Sequence, residues 1–178
     1  GNLNILGGPR VLSPSAPIKI CANLTVDPAL YAYTSAGSTV EYISSSTGQE
    51  ILPFTYNNLT FSGTGNFSLG SSAPIGDKTI NVTGNYVQSA GTVVLGDTAA
   101  NTATLNIEGD MSLNGGTFDM NKVSGGKGTL NLKGDVTLSN TALLNATSNT
   151  IANTNFSFVG TGDGLSHATT QTINVANQ

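Results

Sequence analysis

Residues 79–95 read Thr-Ile-Asn-Val-Thr-Gly-Asn-Tyr-Val-Gln-Ser-Ala-Gly-Thr-Val-Val-Leu, residues 104–120 read Thr-Leu-Asn-Ile-Glu-Gly-Asp-Met-Ser-Leu-Asn-Gly-Gly-Thr-Phe-Asp-Met, and residues 129–145 read Thr-Leu-Asn-Leu-Lys-Gly-Asp-Val-Thr-Leu-Ser-Asn-Thr-Ala-Leu-Leu-Asn. The three stretches start 25 residues apart and align without a gap. Thr79, Thr104 and Thr129 form one column; Asn81, Asn106 and Asn131 another; Gly84, Gly109 and Gly134 a third, each followed by Asn85, Asp110 or Asp135. Self-similarity at a fixed period is the signature of stacked repeats, each covering the open face of its neighbour.

Within a unit, apolar residues alternate with polar ones. Leu105 and Ile107 sit two apart, as do Met111 and Leu113, and Phe118 and Met120. Period two belongs to strands with one buried face. Gly109-Asp110 and Gly115-Gly116 separate the pairs and read as tight bends, with Gly supplying positive φ and Asp capping its own backbone. A connector such as Lys122-Val123-Ser124-Gly125-Gly126-Lys127 closes the unit. The expected fold is all-β: a parallel β-helix (β-solenoid) of 25-residue, three-strand coils, each strand pairing with its equivalent one coil away. The apolar columns fill the interior and the Thr and Asn columns face out. A β-sandwich is the alternative, since it also uses short strands and Gly turns, but sandwich strands seldom repeat their sequence.

The rhythm loosens on both sides of 79–145. Upstream, Leu59-Thr60-Phe61-Ser62-Gly63 aligns with Ile80-Asn81-Val82-Thr83-Gly84, Phe67 and Leu69 read as the following second strand, and Thr39-Val40-Glu41-Tyr42 as an earlier one. Downstream, Phe156 and Phe158, then Ile173 and Val175, mark further strands. The expected organisation is an irregular N-terminal cap, or the end of a preceding module, over 1–38 and solenoid coils over 39–178, about five to seven in all. Pro9, Pro14, Pro17 and Pro28 fit loops or edges of the first part. The chain opens Gly1-Asn2 with no initiator Met or signal peptide, and Thr172-Ile173-Asn174-Val175 has no polar cap after it. It reads as an excised segment of a longer repetitive protein.

Composition narrows the function. Charged residues are 9% of the chain, against roughly 25% in ordinary domains, so hydroxyls and amides must supply the polar surface. The net charge is −4 and no Lys/Arg cluster occurs, which argues against phosphate neutralisation and hence nucleic-acid binding. No stretch approaches 18 apolar residues, so no helical membrane span is expected. Cys21 is the single cysteine, which excludes an intrachain disulfide; an exported composition without disulfides suits a bacterial surface protein.

Thr39-Val40-Glu41-Tyr42, Gln49-Glu50-Ile51 and Tyr56-Asn57-Asn58-Leu59-Thr60-Phe61-Ser62-Gly63, followed by Val82-Thr83-Gly84-Asn85 and Gly109-Asp110, resemble a phrase found in very large Bacteroidetes cell-surface proteins, including gliding-motility adhesins exported by the type IX secretion system. The resemblance covers roughly residues 37–160 and is one of composition and rhythm. It implies an extracellular, cell-surface location and a stalk or adhesin role, with neighbouring modules of the same chain, surface glycans or other cell-surface proteins as partners. It carries no catalytic residues, and the C-terminal sorting domain of that group is not found in this sequence.

No catalytic residue, metal site or cofactor is expected. His167 is the single histidine, in a polar stretch, which excludes a Cys-His zinc site and leaves a Ser-His-Asp triad without support. Asp110 and Asp135 stack one coil apart, where two carboxylates could form an acid–base pair or bind calcium, as in polysaccharide-degrading β-helices. Asn85 fills the same column, however, so a turn ladder is the plainer reading. Glu108 over Lys133 reads as a surface ion pair, worth about 0.2–1 kcal/mol. The outward Thr and Asn columns lack the regular Thr-x-Thr spacing of an ice-binding face. Asp97-Thr98-Ala99 matches the short sequence to which Bacteroidetes attach O-glycans, which makes Thr98 a candidate O-glycosylation site. Six Asn-x-Ser/Thr sequons, Asn58 and Asn81 among them, are what chance gives in so Asn-rich a chain.

Overall fold

The structure is a computed structural model. It describes residues 3–5, 16–22, 24–26, 37–69, 76–99, 101–139, 141–147, 154–159 and 173–176. The described residues contain no helix, and every strand pairing is parallel. A β-sandwich of hairpin-connected strands is therefore excluded. The chain is a β-solenoid of about five turns, wound so that from residue 39 onward successive strands visit three sheets in strict rotation.

The first sheet runs β6 (Thr55–Tyr56), β9 (Lys78–Val82), β12 (Thr102–Ile107), β15 (Lys127–Leu132) and β18 (Thr154–Phe158). The second holds β2 (Ile18–Ile20), β4 (Thr39–Tyr42), β7 (Asn58–Phe61), β10 (Tyr86–Gln88), β13 (Met111–Leu113), β16 (Val136–Ser139) and β19 (Ile173–Ala176). The third holds β5 (Gln49–Glu50), β8 (Asn66–Ser68), β11 (Thr92–Gly96), β14 (Thr117–Asn121) and β17 (Leu143–Asn145). A separate parallel pair joins β1 (Leu3–Ile5) to β3 (Leu24–Val26). The sheet that carries β4 already includes β2, so stacking begins within the first 38 residues.

The 25-residue register holds where the sequence repeats without a gap: Thr104 lies opposite Thr79 and Thr129, and Met111 opposite Tyr86 and Val136. Elsewhere the coil length changes while the pairing persists. Val40 lies opposite Leu59 (19 apart), Leu59 opposite Tyr86 (27 apart), and Val136 opposite Ile173 (37 apart). The bends absorb these differences, because loop length costs little while strand pairing must be conserved.

This register corrects the upstream alignment. Leu59 and Phe61 belong with Tyr86 and Gln88 in the second sheet, not with Ile80 and Val82 in the first. Phe67 belongs with Val93 and Phe118 in the third sheet rather than in a second strand. The first-sheet strand of that coil is the two-residue β6, whose Tyr56 lies opposite Val82. Apolar alternation alone cannot tell one face of a three-sided coil from another, because all three faces bury the same pattern.

The interior holds apolar columns, with Leu59, Phe61, Phe67, Val82, Val93, Leu105, Phe118, Leu130 and Leu132 all fully buried. An aromatic file crosses four coils. Tyr42 stacks on Phe61 at 5.4 Å between ring centroids and 14° between planes, Phe61 lies 5.5 Å from Tyr86, and Tyr86 meets Phe118 edge-on at 5.7 Å. These spacings lie within the favourable range for aromatic pairs.

Gly84, Gly109 and Gly134 are required by close approach rather than by positive φ. The expectation of positive φ fails at Gly109 and holds at Gly116, whose φ is 77°. A Cβ on Gly109 would meet the carbonyl oxygen of Gly84 at 2.6 Å and collide with Asn85 Oδ1. Gly109→Ala is expected to lower stability by about 1–3 kcal/mol in urea unfolding, since the Gly84 carbonyl it strikes is backbone and cannot turn aside as the Asn85 side chain can.

Burial pushes the phenols of Tyr42 and Tyr86 well above the ordinary tyrosine value, the hydrogen bond to Tyr56 offsetting part of the rise at Tyr42. A raised folded-state pKa gives stability that is complete below the unfolded value near 10 and is lost as pH rises beyond it. With two such groups, stability is expected to fall steeply as pH rises above ~10. Urea midpoints between pH 9 and 12, read alongside phenolate absorbance at 295 nm, check this.

Candidate functional site

The polar side chains of the solenoid are arranged in ladders that run from coil to coil. Along the first sheet, Asn106 Nδ2 donates to Asn81 Oδ1 at 2.8 Å and Asn131 Nδ2 to Asn106 Oδ1 at 2.9 Å. The Asn106 amide thus accepts from the coil after it and donates to the coil before it, which the identity of the column makes possible. Beside it, Lys133 Nζ lies 2.8 Å from Glu108 Oε1 with both side chains about half exposed, the ion pair expected from their shared column. Asn81, Asn106, Glu108, Asn131, Lys133 and Val159 line an open groove of about 350 Å³ on this face.

The Asp110 and Asp135 column is a backbone ladder. The backbone N–H of Asn85 donates to Asn58 Oδ1 at 2.9 Å, that of Asp110 to Asn85 Oδ1 at 3.0 Å, and that of Asp135 to Asp110 Oδ1 at 3.0 Å. These side chains accept from the coil that follows, so the expected capping of their own backbone is corrected to a cross-coil bond. Geometry that uses the Asp110 carboxylate to satisfy a backbone N–H at the bend between first and second sheets suits structure better than proton transfer. Among the described residues, no three His, Cys, Asp or Glu side chains are grouped to hold a metal ion.

Other acids are engaged in the same way. Buried Asp119 accepts from the backbone N–H groups of Asn121 at 3.1 Å and Thr147 at 3.0 Å, and from the Thr147 hydroxyl at 2.5 Å. Glu41 accepts from Ser62 Oγ at 2.6 Å and faces Lys19 at 3.4 Å. Glu50 pairs with Lys78, a lysine only 3% exposed. Asp97 accepts from the hydroxyls of Ser68 and Thr98. Thr98, the candidate O-glycosylation site, is half-buried in the turn after β11, its Oγ1 3.2 Å from Asp97 Oδ1. Cys21 is exposed and, with Ser44, Ser46 and Gln49, lines a cleft of about 300 Å³. His167 lies outside the described residues.

The sequence reading missed Gln88 and Lys78. Gln88 is fully buried where Met111-Ser112-Leu113 places an apolar residue. Its Oε1 lies 3.1 Å from the Tyr86 hydroxyl, and its Nε2 donates to the carbonyls of Gly91 at 3.2 Å and Thr117 at 3.0 Å, tying the second sheet to the third. The signal was there, a polar residue in an apolar column, but it pointed to a satisfied core amide rather than to chemistry.

Asp110→Asn is expected to change stability by less than about 0.5 kcal/mol, because Asn85 and Asn58 already serve in this column, whereas Asp110→Ala leaves the Asp135 N–H without its acceptor and costs about 1 kcal/mol. Thermal unfolding of both variants checks the pair. No family model, no curated protein and no solved structure matches this chain, so its function must be argued from its own side chains.

Proposed function

We propose that the chain is a non-enzymatic structural and adhesive module, a stalk or adhesin segment of a large bacterial surface protein. The observation that carries this reading is the use made of the carboxylates: Asp97, Asp110, Asp119, Glu41, Glu50 and Glu108 all accept hydrogen bonds or ion pairs that join one coil to another or close a turn. A hydrolase would hold a pair of them facing a shared substrate space. The resemblance to giant Bacteroidetes surface proteins supports the extracellular, type IX-exported setting. Neighbouring modules of the same parent chain would be its first partners.

A second reading, a carbohydrate-binding module, is favoured by the groove along the Asn ladder, where amide, carboxylate and ammonium groups are presented together to solvent. Sugar hydroxyls both donate and accept, as this set does. The two readings share a fold and differ in ligand.

Incubation with a broad panel of bacterial and plant polysaccharides is expected to release no reducing ends; release from any of them would overturn the non-enzymatic reading. Saturable binding on a glycan array, lost in Asn106→Ala, would favour the second reading over the first. Small-angle scattering is expected to give a radius of gyration above the roughly 16 Å of a compact globule of this length, and a value at or below that would count against a stalk.

A further inference from the structure

The outer face of the first sheet repeats one pattern on successive coils. Thr79, Thr104 and Thr129 stand in one column. Thr55, Asn81, Asn106, Asn131 and Ser157 stand in the next, two residues along the strand and so on the same face. Every member of this second column carries a hydroxyl or an amide. The groove of about 350 Å³ is lined by three consecutive members of it, Asn81, Asn106 and Asn131, so it runs from coil to coil, parallel to the solenoid axis, rather than along any one strand. The strands that carry it, β9, β12 and β15, are described from end to end, and none of these Thr and Asn side chains is buried.

The amides keep capacity for a ligand. An Asn side chain has two N–H donors and two acceptor lone pairs. Asn106 uses one donor on Asn81 and one lone pair for Asn131, which leaves one of each. The ladder also holds each amide in place, so a ligand loses little binding energy to ordering it. Strand pairing sets the repeat: equivalent groups recur about every 4.8 Å along the axis. Charge beside the column is cancelled, since Lys133 and Glu108 pair with each other at 2.8 Å.

We propose that this groove holds a linear, uncharged, β-linked glycan lying along the solenoid axis, one sugar to each coil. The inference rests on the carbohydrate-binding reading of the same groove and adds the class of glycan and its direction. A donor and an acceptor repeated at a fixed step call for a polymer whose hydroxyl groups repeat at a similar step. An extended β-linked chain of glucose or N-acetylglucosamine advances by close to one strand spacing per sugar, so successive sugars meet successive Asn amides in register. A coiled α-linked chain loses that register. An acidic polymer gains nothing from a Glu108 and a Lys133 that already satisfy each other, and it is repelled by a chain of net charge −4.

Isothermal titration calorimetry of the 178-residue chain with cello-oligosaccharides and N-acetylated chito-oligosaccharides, from the disaccharide to the hexasaccharide, tests this. Malto-oligosaccharides of equal length serve as the α-linked probe and oligogalacturonates as the charged one. Affinity for at least one β-linked series is expected to rise about two- to tenfold with each added sugar, the gain from one net hydrogen bond apiece, and to level off once the ligand spans the five strands of the sheet. Thr104→Val, which keeps the shape of the side chain, and Asn106→Ala should each weaken binding of the hexasaccharide at least about threefold. Ser112→Ala, on the outer face of the second sheet, should leave it unchanged, with the far-ultraviolet circular dichroism spectra of all variants alike. Affinity that does not grow with length, equal or tighter binding of the α-linked or charged probes, or full affinity in both first-sheet variants would overturn the axial register and leave carbohydrate binding standing. So would a titration blank up to roughly 10 mM beside a positive glycan array, whereas a blank in both overturns the carbohydrate-binding reading as well.

Discussion

Everything in this molecule depends on parallel, in-register pairing between a strand and its counterpart one coil away. Strands so paired lie about 4.8 Å apart, so whatever side chain stands in a column faces its equivalent at that distance. Each column must be compatible with itself. Asparagine satisfies the condition by donating to one neighbour and accepting from the other, as Asn106 does between Asn81 and Asn131. Aromatic rings satisfy it by stacking, as Tyr42 and Phe61 do. Opposite charges satisfy it by pairing, as Glu108 and Lys133 do, and the stacked Asp110 and Asp135 are joined by the Asp135 N–H donating to Asp110 Oδ1.

The same spacing explains the Gly-Asx pairs. The bend between the first and second sheets brings backbone onto backbone, and the side-chain oxygen of Asn58, Asn85 or Asp110 accepts the N–H of the coil that follows. That oxygen occupies the space where the next glycine would carry a Cβ. The glycine and the Asx residue are two halves of one device, the first making room for the second. Asparagine and aspartate exchange freely because the bond uses only a carbonyl-type oxygen.

Much of this was legible in the sequence where the 25-residue period runs without a gap. The three-strand coil, the inward apolar columns and the Glu108–Lys133 pair can all be read from residues 79–145. The reading failed at Leu59–Gly63, where apolar alternation was matched to the wrong face. The better guide was Asn58: an Asx residue directly before the apolar residue that opens the strand marks the second sheet in Asn58-Leu59, Asn85-Tyr86, Asp110-Met111 and Asp135-Val136 alike. An Asx residue was visible as a turn signal, but its bond to another coil was not, because local preference says what a side chain can do for its own backbone and nothing about a backbone 25 residues away.

The sequence by itself determined that the chain is a stack of parallel coils, since only stacking reconciles a 25-residue period with strands too short to stand alone. It also determined which columns are apolar, because alternation is a property of the strand. The tertiary structure alone decided which strand joins which sheet when the coil length varies from 19 to 37 residues, because the conserved quantity is hydrogen-bond register and not chain length. It alone placed Gln88 as a core bridge and Lys78 in a buried ion pair, since their partners lie in other coils.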